Sequence, residues 1–127
     1  MVVIQRDIKG RKASGGRKKE SRSKKQYETG SEPALTKIDE VHVLKQRTRG
    51  GNQKLRLLAT NKINVFNPKT KKYVMATITT VAENNANRHF VRRNVLTKGA
   101  IVDTDQGKAK ITSRPGQEGS INGVLIS

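Results

Sequence analysis

The chain has no cysteine and no tryptophan, and only 3% of its 127 residues are aromatic. Without thiols, a disulfide scaffold, a cysteine zinc site and a cysteine nucleophile are excluded, and the composition suits a reducing compartment. Acidic side chains are scarce: 10 Asp+Glu stand against 27 Lys+Arg, a net charge of +17. Long apolar runs are missing too. Nothing approaches the roughly 18 residues of a membrane-spanning helix, and Met1-Val2-Val3-Ile4 is far shorter than a signal-peptide core. The expectation is a soluble, cytoplasmic protein with no membrane partner, whose counter-surface is anionic: nucleic acid, anionic lipid or an acidic protein. The length is that of one domain, with no room for a second core.

What is present is unevenly spread. Residues 1–30 hold ten basic and three acidic side chains, residues 31–93 thirteen and four, and residues 94–127 only four and three. The last quarter therefore contributes almost no excess charge and must serve another purpose. Between Lys9 and Pro33 the only apolar residues are Ala13 and Tyr27. Such a segment buries too little surface to offset a backbone entropy of about 1–2 kcal/mol per residue. Residues 1–32 are expected to form a basic arm, disordered when free, and residues 33–127 a folded domain.

The domain reads as all-β. Val41 and Val43 alternate with His42 and lead into Lys45 and Arg47. Lys54-Leu55-Arg56-Leu57 puts two leucines on one face and two cations on the other. Ile63-Asn64-Val65, the β-branched run from Tyr73 to Val81, Ala100-Ile101-Val102, Lys108 to Thr112 and Val124-Leu125-Ile126 are further strands. Asp105-Gln106-Gly107 predicts a hairpin turn. Short strands at close spacing, with no long helical period and no internal repeat, argue for a small barrel or sandwich.

Three basic constellations could carry function. The first is Gly10-Arg11-Lys12-Ala13-Ser14-Gly15-Gly16-Arg17-Lys18-Lys19. Its glycines let backbone N–H groups approach phosphate oxygens while its cations neutralise them. It lacks the Gly-Lys-Ser/Thr ending and preceding strand of a nucleotide-binding loop. The second is Arg47-Thr48-Arg49-Gly50-Gly51-Asn52 with Lys54 and Arg56. The glycine pair reads as a supply of positive φ, and three arginines with a lysine in ten residues read equally as a phosphate-facing loop. The third is Asn87-Arg88-His89-Phe90-Val91-Arg92-Arg93-Asn94. Phe90 between arginines could stack on a splayed base, but with so few aromatics the favoured reading is a plug for the barrel end.

Histidines 42 and 89 are far apart in sequence and read as surface residues rather than metal ligands. The close acidic pairs, Asp39-Glu40 and Asp103/Asp105, read as turn chemistry. No catalytic, metal or cofactor constellation emerges, and no small-molecule substrate is expected.

Read together, these blocks resemble the archaeal form of a small-subunit ribosomal protein family shared by archaea and eukaryotes, the eukaryotic-type protein eight. The likeness runs from about Gly10 to Ile126. It rests on Arg11 to Gly16, then Arg22 to Lys25 (including Lys24), then Tyr27-Glu28-Thr29-Gly30, and on the block 47–52. It rests also on His89 to Asn94, Thr97-Lys98-Gly99-Ala100, and Thr112-Ser113-Arg114-Pro115-Gly116-Gln117. The start departs, with Ile4-Gln5-Arg6-Asp7-Ile8 where family members usually open with a Trp-Gln-Gly-Arg-Ser-like run. The resemblance implies a six-stranded barrel-like domain with a long basic extension threaded into ribosomal RNA. It also implies neighbouring small-subunit proteins as partners and a ribosome-bound location. Composition alone also allows a chromatin-type protein that compacts DNA. An RNA-modifying enzyme is disfavoured by the missing cluster of acids, histidines and cysteines.

Overall fold

The computed structural model describes residues 3–6 and 10–126. Asp7 to Lys9, part of the expected arm, lie outside the described residues. The chain divides into two compact units, residues 1–33 and 34–127.

In the first unit, β1 (Val3–Ile4) pairs antiparallel with β2 (Thr29–Gly30). A single 3₁₀ turn at Gln26–Glu28 precedes β2. None of its described residues is buried, as expected of a segment with so few apolar side chains. Polar contacts hold it instead: the Gln5 N–H donates to the Glu28 carbonyl at 2.9 Å, and Lys12 N–H to the Gly16 carbonyl at 2.8 Å.

Among its described residues the second unit is all-β save for one short α-helix and a 3₁₀ turn at Arg49–Gly51. β3 (His42–Arg47) and β4 (Gln53–Ala59) form an antiparallel ribbon. β5 (Lys62–Asn67), β6 (Lys72–Glu83), β7 (Ile101–Thr104), β8 (Gly107–Ile111) and β9 (Asn122–Leu125) close into a barrel in that order. Helix α1 (Arg88–Arg92) lies between β6 and β7. The barrel closes with five strands, while the β3–β4 ribbon stands outside its ladder. Neighbours are antiparallel except at the seam, where β5 and β9 run parallel with Asn64 opposite Asn122 and Phe66 opposite Val124.

Alternation explains the core. Ile63 and Val65 of β5 point inward, as do Ala76, Ile78 and Val81 of β6, Val102 of β7, and Ala109 and Ile111 of β8. A register shift between Ile78 and Thr80 bulges β6 at Thr79; the extra residue bends the strand, as closure of so small a barrel requires. Leu57, Leu96, Ala100 and Ile121 complete the cluster, with Val43, Val91 and Leu125 packed against it. The tail differs from the expectation: Ile121 is 2% exposed, whereas Ile126 is 44% exposed. The Ile126 N–H still donates to the Lys108 carbonyl at 2.8 Å, so the residue continues the β8–β9 ladder, but alternation puts its side chain on the outer face with Val124.

Buried polar side chains of the second unit are paired. Thr36 Oγ1 donates to the Leu57 carbonyl at 2.6 Å, and Asn84 Nδ2 to Thr97 Oγ1 at 2.9 Å. The turn at Asp105 and Gln106 joins β7 to β8, with Gly107 at φ 114 supplying the left-handed backbone. The carboxylates of the hairpin serve structure: Asp105 Oδ1 accepts from the Thr77 N–H at 3.2 Å, and Asp103 Oδ2 from the Thr80 hydroxyl at 3.3 Å.

Gly123 faces the interior, where a Cβ would stand 2.9 Å from Ile63 Cδ1 and 3.0 Å from the Lys110 carbonyl oxygen. Gly123→Val should therefore destabilise the domain by about 1–3 kcal/mol through overpacking, read as a lowered urea midpoint with an unchanged slope.

Candidate nucleic-acid interface

Between Glu40 and Glu83 the chain carries nine cations and no carboxylate. That stretch contains the β3–β4 ribbon. Its register sets Leu44 opposite Arg56 and Gln46 opposite Lys54 on one face, and Lys45 opposite Leu55 and Arg47 opposite Gln53 on the other. The Leu55/Leu57 face is therefore as the alternation predicts, but only Leu57 reaches the core, and Leu55 is 41% exposed. Lys45 belongs to this basic ribbon as well, on the same face as Arg47, and its alternation with Arg47 is legible in the sequence.

At the ribbon's tip Gly50 and Gly51 both adopt positive φ, 78° and 77°. The Thr48 N–H donates to the Asn52 carbonyl at 2.8 Å and closes the loop. The glycines thus do supply the turn, and the same turn leaves Arg47 and Arg49 exposed. Arg47, Arg49 and Lys54 have no ion-pair partner among the described residues. Unneutralised cations on a strand pair and its connecting loop present positive charge that a polyanion would match. Arg114 joins this region. Its carbonyl accepts from Gln117 and Glu118, and the next residue, Pro115, accepts the Leu57 N–H of β4 at 3.0 Å.

Arg88, Arg92 and Arg93 come together around α1, all exposed. Asn87 caps the helix, its Oδ1 accepting from the His89 N–H at 2.9 Å. Val91 of this helix packs on the core cluster; Phe90 does not belong to that cluster. Phe90 is half-buried and lines a surface depression with His89, Arg92 and Arg93. The barrel-plug reading is thus replaced, because a five-residue helix can turn only one of its two neighbouring apolar residues inward. No group of three potential metal-ligating side chains occurs among the described residues.

In the first unit, Arg11 and Arg17 bridge across a tight loop in which Gly15 takes φ 82. The Arg11 guanidinium donates to the Gly15 carbonyl at 2.9 Å. A Cβ at Gly15 would meet nothing within 4 Å, so the loop backbone is open to close approach. Lys12, Lys18, Lys19 and Arg22 line one depression together with Arg6; Ser14, Gly16, Lys24 and Lys25 are exposed. Glu28 draws two of the arginines: Arg6 Nε lies 3.1 Å from its carboxylate, and Arg22 forms a charge-assisted hydrogen bond with it. Desolvation pushes the Glu28 carboxyl up, but the Lys25 N–H together with Arg22 and Arg6 holds it below the usual carboxylate value. Arg22 is correspondingly raised, chiefly by its hydrogen bond to Glu28.

Residues 5–126 match the family described as Ribosomal protein S8e. The chain belongs to that family. This S8e chain is 52% identical over 125 residues to the small ribosomal subunit protein eS8 of Methanobrevibacter smithii, covering 98% of the chain and 100% of that relative. It is 48% identical to the protein of the same name from Methanosarcina barkeri, covering 91% and 93%, and 51% identical to that of Nanoarchaeum equitans, covering 84% of each. No helix of the described residues is long and apolar enough to cross a membrane.

Proposed function

We propose that this S8e protein is a structural constituent of the small ribosomal subunit that binds and stabilises folded ribosomal RNA. Its barrel is a scaffold. It fixes the basic β3–β4 ribbon and the arginines around α1, while the N-terminal arm follows RNA grooves and orders on binding. The observation that carries the reading is the ribbon, with exposed Arg47 and Lys54 on paired strands and Arg49 in the loop that joins them, and no carboxylate between Glu40 and Glu83. Catalysis plays no part in this role, and neighbouring small-subunit proteins are the remaining partners.

The test is filter binding of the full chain to small-subunit RNA across a salt series. Arg47→Ala with Arg49→Ala should weaken binding and flatten the log–log salt slope by about 1.4–1.8, since each lost phosphate contact removes roughly 0.7–0.9. The melting temperature should not move, because neither side chain is in the core. Unchanged affinity would return the loop to a mere turn. Tighter binding to duplex DNA than to structured RNA at matched salt would favour the DNA-compacting reading instead.

A further inference from the structure

The barrel wall carries a second surface that none of the basic constellations includes. Phe66 of β5 sits directly opposite Tyr73 of β6, their ring centroids 5.0 Å apart and inclined at 48°. Across the parallel seam Phe66 lies opposite Val124 of β9, which in turn faces Lys110 of β8. Tyr73, Phe66, Val124 and Lys110 thus form one row across four strands, spanning about 14 Å at the usual strand spacing.

A second row runs beside it. Met75 is opposite Asn64, Asn64 opposite Asn122, and the Thr112 N–H donates to the Asn122 carbonyl at 2.9 Å. Asn64 Nδ2 donates to Asn122 Oδ1 at 3.3 Å. Among the described residues Asn64 Oδ1 and Asn122 Nδ2 have no partner, which leaves an amide oxygen and an amide NH₂ group on the face. Residues of both rows, including Asn64, Phe66, Tyr73, Asn122 and Val124, line a single depression.

Tyr73 is 77% exposed and Met75 61% exposed, an unusual outlay in a chain with four aromatics. The charge around them has one sign. β5, β8 and β9 contain no acidic residue, and the only one in β6 is Glu83 at its far end. Lys69, Lys71 and Lys72 crowd the turn beside the aromatic pair, with Lys110 at the other end of the row. A polyanion with exposed π-faces matches this wall; an acidic peptide would meet the lysines but leave the aromatic pair and the amide pair unused.

We propose that this wall is a stacking platform for unpaired bases of single-stranded RNA, with Tyr73 on Phe66 as the platform. The Asn64–Asn122 amides hydrogen-bond base edges, and Lys110 with the 69–72 turn holds the flanking phosphates. Four-stranded sheets of other RNA-binding proteins seat two or three bases across a comparable width. The proposal rests on the RNA-binding reading above and deepens it, since phosphate contacts alone require no such face.

Because the chain has no tryptophan, Tyr27→Phe leaves Tyr73 as the sole tyrosine reporter. The experiment titrates this full-length variant with an eight-nucleotide oligouridine and with an abasic oligoribonucleotide of equal charge. Quenching of Tyr73 emission by the first and not the second is the expected result. In anisotropy measurements Tyr73→Ala should weaken oligouridine binding by about 5- to 150-fold, the usual range for one lost stack, and leave abasic binding unchanged. Tyr73→Phe should restore the affinity. Equal affinity for both oligonucleotides with no quenching would overturn the platform while leaving phosphate-mediated RNA binding intact. Failure to bind either oligonucleotide or structured RNA at low salt would overturn both readings.

Discussion

Ending the chain at Gly119 should abolish cooperative unfolding. The cut removes β9, which closes the barrel by pairing with β5 on one side and β8 on the other. It also removes Ile121, 2% exposed, and Leu125, which packs against the core. Burial of one such side chain contributes about 1.5–3 kcal/mol, against a typical domain stability of about 5–15 kcal/mol. The ladder adds to the loss, because β5 and β8 become open edges with unpaired backbone groups. The residues removed carry no charged side chain, so an unstructured polycation would keep its RNA affinity after the cut. The expected outcome is a broad, non-cooperative melt by circular dichroism and failure to co-sediment with small ribosomal subunits. A truncated protein that melts sharply and still assembles would show that four strands close the fold without β9.

Removing residues 1–32 should have the opposite signature: a folded domain with much weaker RNA binding. The segment carries ten cations and four carboxylates. Arg6 and Arg22 are engaged by Glu28 and Lys18 also has an interaction within the fold, so seven other cations are counted toward phosphate. If each makes one contact, the log–log salt slope should fall by about 5 at roughly 0.7 per contact. The domain's melting temperature should stay in place, because residues 34–127 hold the entire hydrophobic core cluster. Amide exchange on the full chain supplies the complementary result. With no buried residue among those described in the first unit, the few backbone hydrogen bonds that hold it should open readily, so its amides should exchange fast in the isolated protein and become protected on RNA. Protected arm amides without RNA, or an unchanged salt slope after deletion, would contradict the proposed role.

The alternating stretches were legible because a strand has a period of two and the barrel has one wet face. Ile63 and Val65 with Asn64 between them, and Leu55 and Leu57 between cations, could take only one orientation once a core existed. The two-residue turn before Gly107 and the paired glycines at 50 and 51 were legible for a different reason: positive φ is cheap only for residues without a Cβ. Helix α1 was less readable. Phe90 and Val91 are adjacent and similarly apolar, and nothing in their spacing tells which one a five-residue helix turns inward. In the sequence Arg22 reads as a cation for RNA, and its engagement by Glu28 depends on a 3₁₀ turn that no periodicity announces.

From composition and order alone, the sequence determined a cysteine-free, all-β domain with a basic, core-less N-terminal segment and a large excess of cations. These properties follow from local rules: side-chain period, turn residues and net charge. The tertiary structure alone decided that the barrel closes on five strands through a parallel seam between β5 and β9, which sets Asn64 beside Asn122 and Phe66 beside Val124. It alone decided that Ile121 rather than Ile126 fills the core, and that Phe66 and Tyr73 share one wall with Lys110. Pairings between residues nearly sixty positions apart depend on which strands meet after the whole chain has bent round its core. That outcome is settled by the bulge in β6, the lengths of the strands and the volume they must jointly enclose, none of which any single segment encodes.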